Sequence, residues 1–499
     1  MSWVVVSKFS YTYPGENTPV FRDLNFVINR GDFLVITGKS GCGKSTFGKA
    51  LAGFLFQDDS ANYSGKIIIN SEDMTQLPLY EASRKVGYVQ QNPEDQFCTL
   101  NVDDEIAFGP ENLCVPPDEI EDQINQSLMI VKGIELRGRD LATLSGGEKQ
   151  KVAIASMLAL SPELLILDEP TSNLDPIATR NIFQTLHNLR ESMGLTVIIF
   201  EHKLSQLVDL DPKFFVLDQG EIKPLGNNQY RPKSVNRINL SFPGKTSLHN
   251  DHKNTLIKVE NLNVAIQDKI ILQEINFEIV PGEFIALMGP NGSGKSTLLQ
   301  SLVGFHPPNS GNIRCFDQAS PNIKTSNLVM DIGFIFQNPD HQLFTQSVLD
   351  EVIFTSENLK ILTEEITNLA NKWLDQIELL HRVDDHPQRL SYGEKRRLNL
   401  IAAMLHNPRL LIIDELLIGQ DMANALIWMK ILHDYTKNGN SVLLVNHHPE
   451  LTKEFCSRLI FLNEGRMLLD QPVDLAFESL RTAGFDSFVP GKRVSEINA

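Results

Sequence analysis

Long apolar runs are the first thing this chain lacks. Nowhere do about 18 uncharged hydrophobic residues follow one another, although 42% of the 499 residues are hydrophobic, so the chain is not expected to cross a membrane by itself. Cysteine is scarce and scattered. Cys42, Cys98, Cys114, Cys315 and Cys456 form no CxxC pair, which argues against a disulfide framework or a zinc site and for reduced thiols in the cytosol. Positive charge is short as well: 45 Lys and Arg face 62 Asp and Glu. A net charge of −17 speaks against a nucleic-acid partner, whose phosphates need clustered cations. The opening "MSWVVVSKFSYTYPG" has neither the basic head nor the apolar stretch of a signal peptide. What remains has a globular composition and is too long for one ordinary core.

What is present is written twice. "GKSGCGKST" (Gly38 to Thr46) returns as "GPNGSGKST" (Gly289 to Thr297), and "VGYVQQNPEDQF" as "IGFIFQNPDHQLF". "LSGGEKQK" returns as "LSYGEKRR", "LLILDEPTSNLD" as "LLIIDELLIGQD", and "VIIFEH" as "VLLVNH". The order is kept at offsets of about 250 residues, which implies a tandem duplication of one domain. The polar stretch from Pro224 to Asn254, rich in Asn, Pro, Gly and Ser, reads as the linker. This places one domain at 1–223 and a second at 255–470, with a tail at 471–499 that repeats nothing and receives no role. Apolar runs such as "DFLVITG" and "EFIALMG" end at glycine-rich loops, as buried parallel strands feeding helices do, so the class is α/β twice over.

The repeated motifs carry a chemistry. In G-x-x-x-x-G-K-[ST], glycines let backbone N–H groups and a helix N-terminus face phosphates. Lys44 and Lys295 would reach the β- and γ-phosphates, and Ser45 and Ser296 would ligate Mg²⁺. Asp168–Glu169 and Asp414–Glu415 each end an apolar strand, at the edge where such sheets bind ligands. Alternation along the strand permits two roles: Asp on Mg²⁺, Glu on the attacking water. A helix-capping acid is the plainer reading, but it does not account for a repeated pair behind a phosphate loop. His202 and His447 close the next strand at nearly equal spacing. A lone histidine there would read as structural; the repeat points to a γ-phosphate contact.

With these motifs the chain resembles, through both halves, the nucleotide-binding domains of ATP-binding cassette proteins, and "LSGGEKQK" is the most telling stretch. The resemblance implies two tandem P-loop NTPase domains, each with a mainly parallel core sheet flanked by helices and a helical subdomain. It makes Gly38, Lys39, Ser40, Gly41, Cys42, Gly43, Lys44, Ser45 and Thr46 one phosphate loop. Gly289, Pro290, Asn291, Gly292, Ser293, Gly294, Lys295, Ser296 and Thr297 make the other. Gln91 and Gln337 become Q-loop glutamines near Mg²⁺, which Asp168 and Asp414 also hold. Glu169 and Glu415 become catalytic glutamates, and His202 and His447 switch histidines. Tyr13 matches the aromatic residue that stacks on adenine. In this family two domains close head to tail, so Ser145, Gly146 and Gly147 would cap ATP on Lys295, and Ser391 and Gly393 would cap ATP on Lys44.

The halves differ. Tyr392 stands where the first signature has Gly146, and a side chain there is expected to weaken the cap on Lys44's nucleotide. Ile266 takes the adenine-stacking place in the second half, and Leu416 and Leu417 replace the "PT" after the glutamate. Both sites are expected to bind ATP, at least one to hydrolyse it, at unequal rates.

The segment after each Q-loop glutamine, "QNPEDQF…VDDEIAFGPENL" and "QNPDHQLF…VLDEVIFTSENL", is similar to the ATPases of energy-coupling factor importers. That resemblance implies a groove for coupling helices, with Phe97, Phe108, Phe344 and Phe354 as candidate apolar contacts. It also implies a transmembrane coupling protein and a small substrate-capture membrane protein as partners, at the cytoplasmic face of the membrane. The cargo would be a vitamin, vitamin precursor or metal ion. Alternatives are the ATPase of a sugar-type importer, whose second phosphate loop is typically degraded, and a soluble two-cassette translation factor acting on ribosomes. The latter fits the acidic balance poorly.

Overall fold

The computed structural model describes the chain apart from residues 1, 17, 40, 58–61, 173, 202–206, 208–209, 226–239, 241–254, 267–268, 317, 321–322, 418–421 and 491–499. Two compact units emerge, one within Met1–Arg231 and one within Pro232–Gly491. Ser40, His202 and most of the stretch read as a linker lie outside the described residues.

Each unit pairs a four-stranded antiparallel sheet with a six-stranded, mostly parallel one. In the first unit the larger sheet runs in the spatial order Glu221–Pro224, Lys213–Asp218, Phe33–Thr37, Thr196–Phe200, Leu164–Asp168, Val86–Val89, with only the outer hairpin antiparallel. Every residue of Phe33–Thr37, Leu164–Asp168 and Thr196–Phe200 is buried. The sequence shows the reason: "FLVIT", "LLILD" and "TVIIF" are continuous apolar runs, suited to strands covered on both faces. Each fully buried Leu, Ile or Val contributes roughly 1.5–3 kcal/mol relative to exposure.

One face of this sheet packs with the antiparallel sheet and the helix Lys44–Leu51. The other packs with the helices Val102–Asn112, Pro117–Ile130 and Gly146–Leu158, the helical part of the unit. The second unit repeats the plan, with Phe284–Met288, Ser441–Val445 and Leu410–Ile413 as its buried strands. It adds the helix Val473–Thr482, whose Ala476, Phe477 and Leu480 join the second core, and Phe485 and Phe488 meet Phe461 edge to face at 5.0 and 5.1 Å. Most of the stretch that repeats nothing in the first half is thus a built part of the second unit. Among the described residues no helix is long and apolar enough to cross a membrane.

The parallel strands share one direction, so their carboxyl ends share one edge. In the first unit that edge delivers the loop after Thr37, the Gln91 loop after Val89 and the acid pair at Asp168. The site is assembled by topology before any side chain is placed.

Candidate functional site

The phosphate loops come first. Gly43 and Gly294 hold φ of 104° and 98°, left-handed values that a glycine adopts freely, and each caps the helix that follows. A Cβ at Gly38 or Gly289 would collide with the carbonyl of Leu217 or Leu462. Lys44 is buried, and its Nζ donates to the carbonyls of Gly38 (3.0 Å) and Lys39 (3.2 Å). Lys295 does the same to Gly289 (3.0 Å) and Pro290 (2.8 Å). Both ammoniums therefore sit inside the loop's curve, where a phosphate oxygen can take over from a carbonyl. Tyr13, on the edge of the first unit, places its hydroxyl 3.0 Å from Thr46 Oγ1. Ile266, which ends the strand Ile257–Ile266, has no hydroxyl to offer.

The acid pairs face these loops. Ser45 is hydrogen-bonded to Asp168, and Ser296 to Asp414. Glu169 Oε1 lies 3.8 Å from Lys44 Nζ, and its Oε2 accepts from Gln91 Nε2 at 2.9 Å. Glu415 accepts from Gln337 Nε2 at 2.8 Å and lies 2.9 Å from His447 Nε2. Both glutamates sit at positive φ, 46° and 58°, so each turns out of its strand in the same strained way. In the second unit burial alone would raise Glu415, yet His447 and Lys295 outweigh it and hold the carboxyl below its ordinary range. That keeps it an anion able to orient or accept a proton from water.

The aspartates differ, through a residue that motif reading passed over. Tyr88 donates its hydroxyl to Asp168 Oδ2 at 2.8 Å. Burial and the neighbouring Asp168 push the Tyr88 phenol upward, so it stays a donor. Phe334 takes this place in the second unit, and there Asp414 Oδ1 is buried with no hydrogen-bond partner among the described residues. Burial and the charge of Glu415 push Asp414 up to about 6 from an ordinary 3.8. Asp168 also moves up through burial, against which the Ser45 and Tyr88 hydroxyls act. The signal was in the repeat itself: "VGYV" becomes "IGFI".

A hard cation fits here. Among the described residues no group of three or more His, Cys, Asp or Glu is arranged to hold a metal ion by itself, so a metal would be held by few protein oxygens together with those of a phosphate ligand, as Mg²⁺ is. The unpartnered oxygen of Asp414 beside Ser296 is the donor that such an ion satisfies. With their amide nitrogens on the glutamates, Gln91 and Gln337 would turn Oε1 to the cation. Mg²⁺ would neutralise phosphate charge; the other steps belong to the chain's own groups.

The turn after each glutamate is held differently. Thr171 Oγ1 donates to buried Glu201 Oε2 at 2.5 Å. In the second unit Leu417 and Asn446 occupy these positions, and Asn446 bonds instead to Thr452 Oγ1 at 3.0 Å. The left-handed start survives the change; the polar tie behind it does not.

The signatures are helix starts. Ser145 and Ser391 cap Gly146–Leu158 and Tyr392–Met404, each in a reciprocal capping box with Glu148 or Glu394. Arg139 braces Glu148 at 2.8 Å and Arg382 braces Glu394 at 3.2 Å. Tyr392 is drawn along its own helix: the Arg396 guanidinium lies 5.3 Å from its ring centre. Its ring therefore has a fixed place beside the helix, a restraint the bare substitution did not announce.

The ABC transporter family pattern matches residues 21–172 and 272–417, one stretch in each unit. A Methanosarcina mazei protein provisionally named an ABC transporter ATP-binding protein is 33% identical, over 97% of this chain and 92% of its own. A Bacillus subtilis protein provisionally named HMP/thiamine import ATP-binding protein YkoD is 32% identical, over 94% of this chain and 91% of its own. Matched in both units and aligned with such relatives along nearly its whole length, the chain belongs to the ABC transporter family, as an ATPase with two ATP-binding cassettes whose hydrolysis is coupled to transport.

Proposed function

We propose that the chain is the energy-coupling ATPase of an importer of the energy-coupling factor type, working at the cytoplasmic face of the membrane. Its cargo would be a vitamin, vitamin precursor or metal ion. Glu169 and Glu415 orient and activate the attacking water, Lys44 and Lys295 take the phosphates, and Ser45 with Asp168 and Ser296 with Asp414 hold Mg²⁺. Gln91 and Gln337 assist in holding it. His202 and His447 complete the γ-phosphate contacts, and Tyr13 stacks on adenine. The two units close head to tail, and each signature, Ser145 to Gly147 or Ser391 and Gly393, caps the nucleotide of the other unit. The repeated motif set supports this reading. The import-related name carried by the Bacillus subtilis relative points the same way.

The observation that carries the importer assignment is the surface behind the Q-loops. Phe108, Phe344 and Phe354 are exposed, and the last two meet edge to face at 4.7 Å. Phe344 and Phe354, with Phe305, Phe334 and His406, line a cavity of about 180 Å³ in the second unit. Phe97, by contrast, packs on the first core. Phe344 and Phe354 would receive an amphipathic helix of a transmembrane partner.

Affinity purification from detergent-solubilised membranes of the source cell tests the assignment. Integral membrane proteins should co-purify and be lost from a Phe344→Asp/Phe354→Asp variant that still binds ATP. Recovery of ribosomes in their place would overturn it.

A further inference from the structure

The second signature differs from the first at three positions: Lys151 becomes Arg397, a basic residue for a basic one, and the other two changes lie one helical turn apart. Gly146 and Gln150 become Tyr392 and Arg396. In the first unit Gln150 is buried and its Nε2 finds no hydrogen-bond partner among the described residues. Arg396 is buried too, at 1% exposure; its Nε has no partner among the described residues, but both terminal nitrogens are occupied. Nη1 donates to the Phe336 carbonyl at 3.0 Å, and Nη2 donates to the Gln337 carbonyl and, at 3.0 Å, to the Tyr392 hydroxyl. The Tyr392 hydroxyl itself lies 3.5 Å from the same Gln337 carbonyl. One side chain further on, the Gln337 amide holds Glu415.

A buried guanidinium that loses its acceptors is costly, so the Phe336–Gln337 backbone cannot shift without stripping Arg396. A planar fork suits two successive carbonyls; a lysine would reach one. Both units share the lysine tie to the following acid, Lys149 to Glu94 and Lys395 to Asp340, so the guanidinium clamp is the difference.

We infer that Tyr392 and Arg396 are positioning residues: they lock the Phe336–Gln337 backbone and, through the Gln337 amide, fix the Glu415 carboxylate, a restraint absent from the first unit. This rests on the proposed role of Glu415 in hydrolysis. It also gives the tyrosine a function within its own unit, apart from any effect on a cap.

The test uses the full chain carrying Glu169→Gln, so that turnover reports the second site. Tyr392→Gly/Arg396→Gln installs the pair with which the first unit already folds. Amide hydrogen exchange at Phe336, Gln337 and Asn338 should accelerate about tenfold. At the same time kcat should fall roughly threefold to tenfold with KM for ATP within about twofold. Arg396→Lys should not rescue, and Tyr392→Phe, which keeps the ring under the guanidinium, should lose less. Unchanged exchange, or faster exchange with unchanged kcat, overturns the inference. Glu415→Gln run in parallel separates the two claims. If it leaves turnover intact, the assignment of the acid fails, while the exchange data still judge the clamp.

Discussion

The two units perform the same placement with different supports. In the first, hydroxyls hold the site: Tyr88 on Asp168, Thr171 on Glu201, Tyr13 on Thr46. In the second, Phe334, Leu417 and Ile266 stand at those positions, and the added support is a guanidinium, Arg396 on the Gln337 carbonyl. Divergence has preserved where the lysine, aspartate and glutamate sit and changed what fixes them there. Two copies of one domain can therefore keep the same motif residues while differing in the contacts that hold them.

The largest effect that would break this comparison comes from the glutamates. Glu169→Gln and Glu415→Gln should each lower hydrolysis at their own site by about 10²-fold or more, and steady-state ATPase of the two variants should differ. Equal residual rates would erase the functional side of the contrast. Next, Thr171→Leu removes the hydroxyl donor 2.5 Å from a buried carboxylate and should cost the first unit about 1–3 kcal/mol in urea unfolding. Adding Glu201→Asn, which completes the second unit's pairing, should recover much of that. A double variant no better than the single would show that the two changes are unrelated.

Proton competition is a third test. Folding raises Asp414 above its ordinary value, so the fold favours its protonated form. That contribution is full below 3.8 and is lost as pH rises through about 6, where the bare carboxylate must be buried. Mg²⁺ needs the anion, so the Mg²⁺-dependent rise in Tm of the second unit should shrink about tenfold in apparent affinity from pH 7 to pH 5. A pH-independent Mg²⁺ response would sink this account. The smallest effect belongs to Tyr88→Phe, which should cost the first unit about 1 kcal/mol, with Phe334→Tyr returning part of it to the second. Thermal unfolding of both variants reads this out.

The contiguous features were legible in the sequence. Phosphate loops and acid pairs each sit within a few residues, and their geometry follows from local backbone rules. The parallel sheet was legible because its strands are unbroken apolar runs. What stayed hidden spans distance. Tyr88 meets Asp168 across 80 residues, and Thr171 meets Glu201 across 30. Arg396 binds backbone carbonyls, which any residue supplies, so no letter in the sequence marks its acceptor. The substitutions still left a trace, since Gly146 and Gln150 change together, as do Thr171 and Glu201. Tyr392 looked like an obstruction because a single letter shows a side chain's bulk and not the neighbour it leans on.

The backward bend at the two glutamates has a practical corollary. At φ of 46° and 58° the peptide torsion is costly for any residue with a Cβ, whatever its charge. An amide put there inherits the same contortion as the acid, so a glutamine swap at either place reports the loss of the carboxylate's charge and basicity without a change in backbone strain. A swap to glycine would relieve the contortion as well, and would blend two separate events into one measurement.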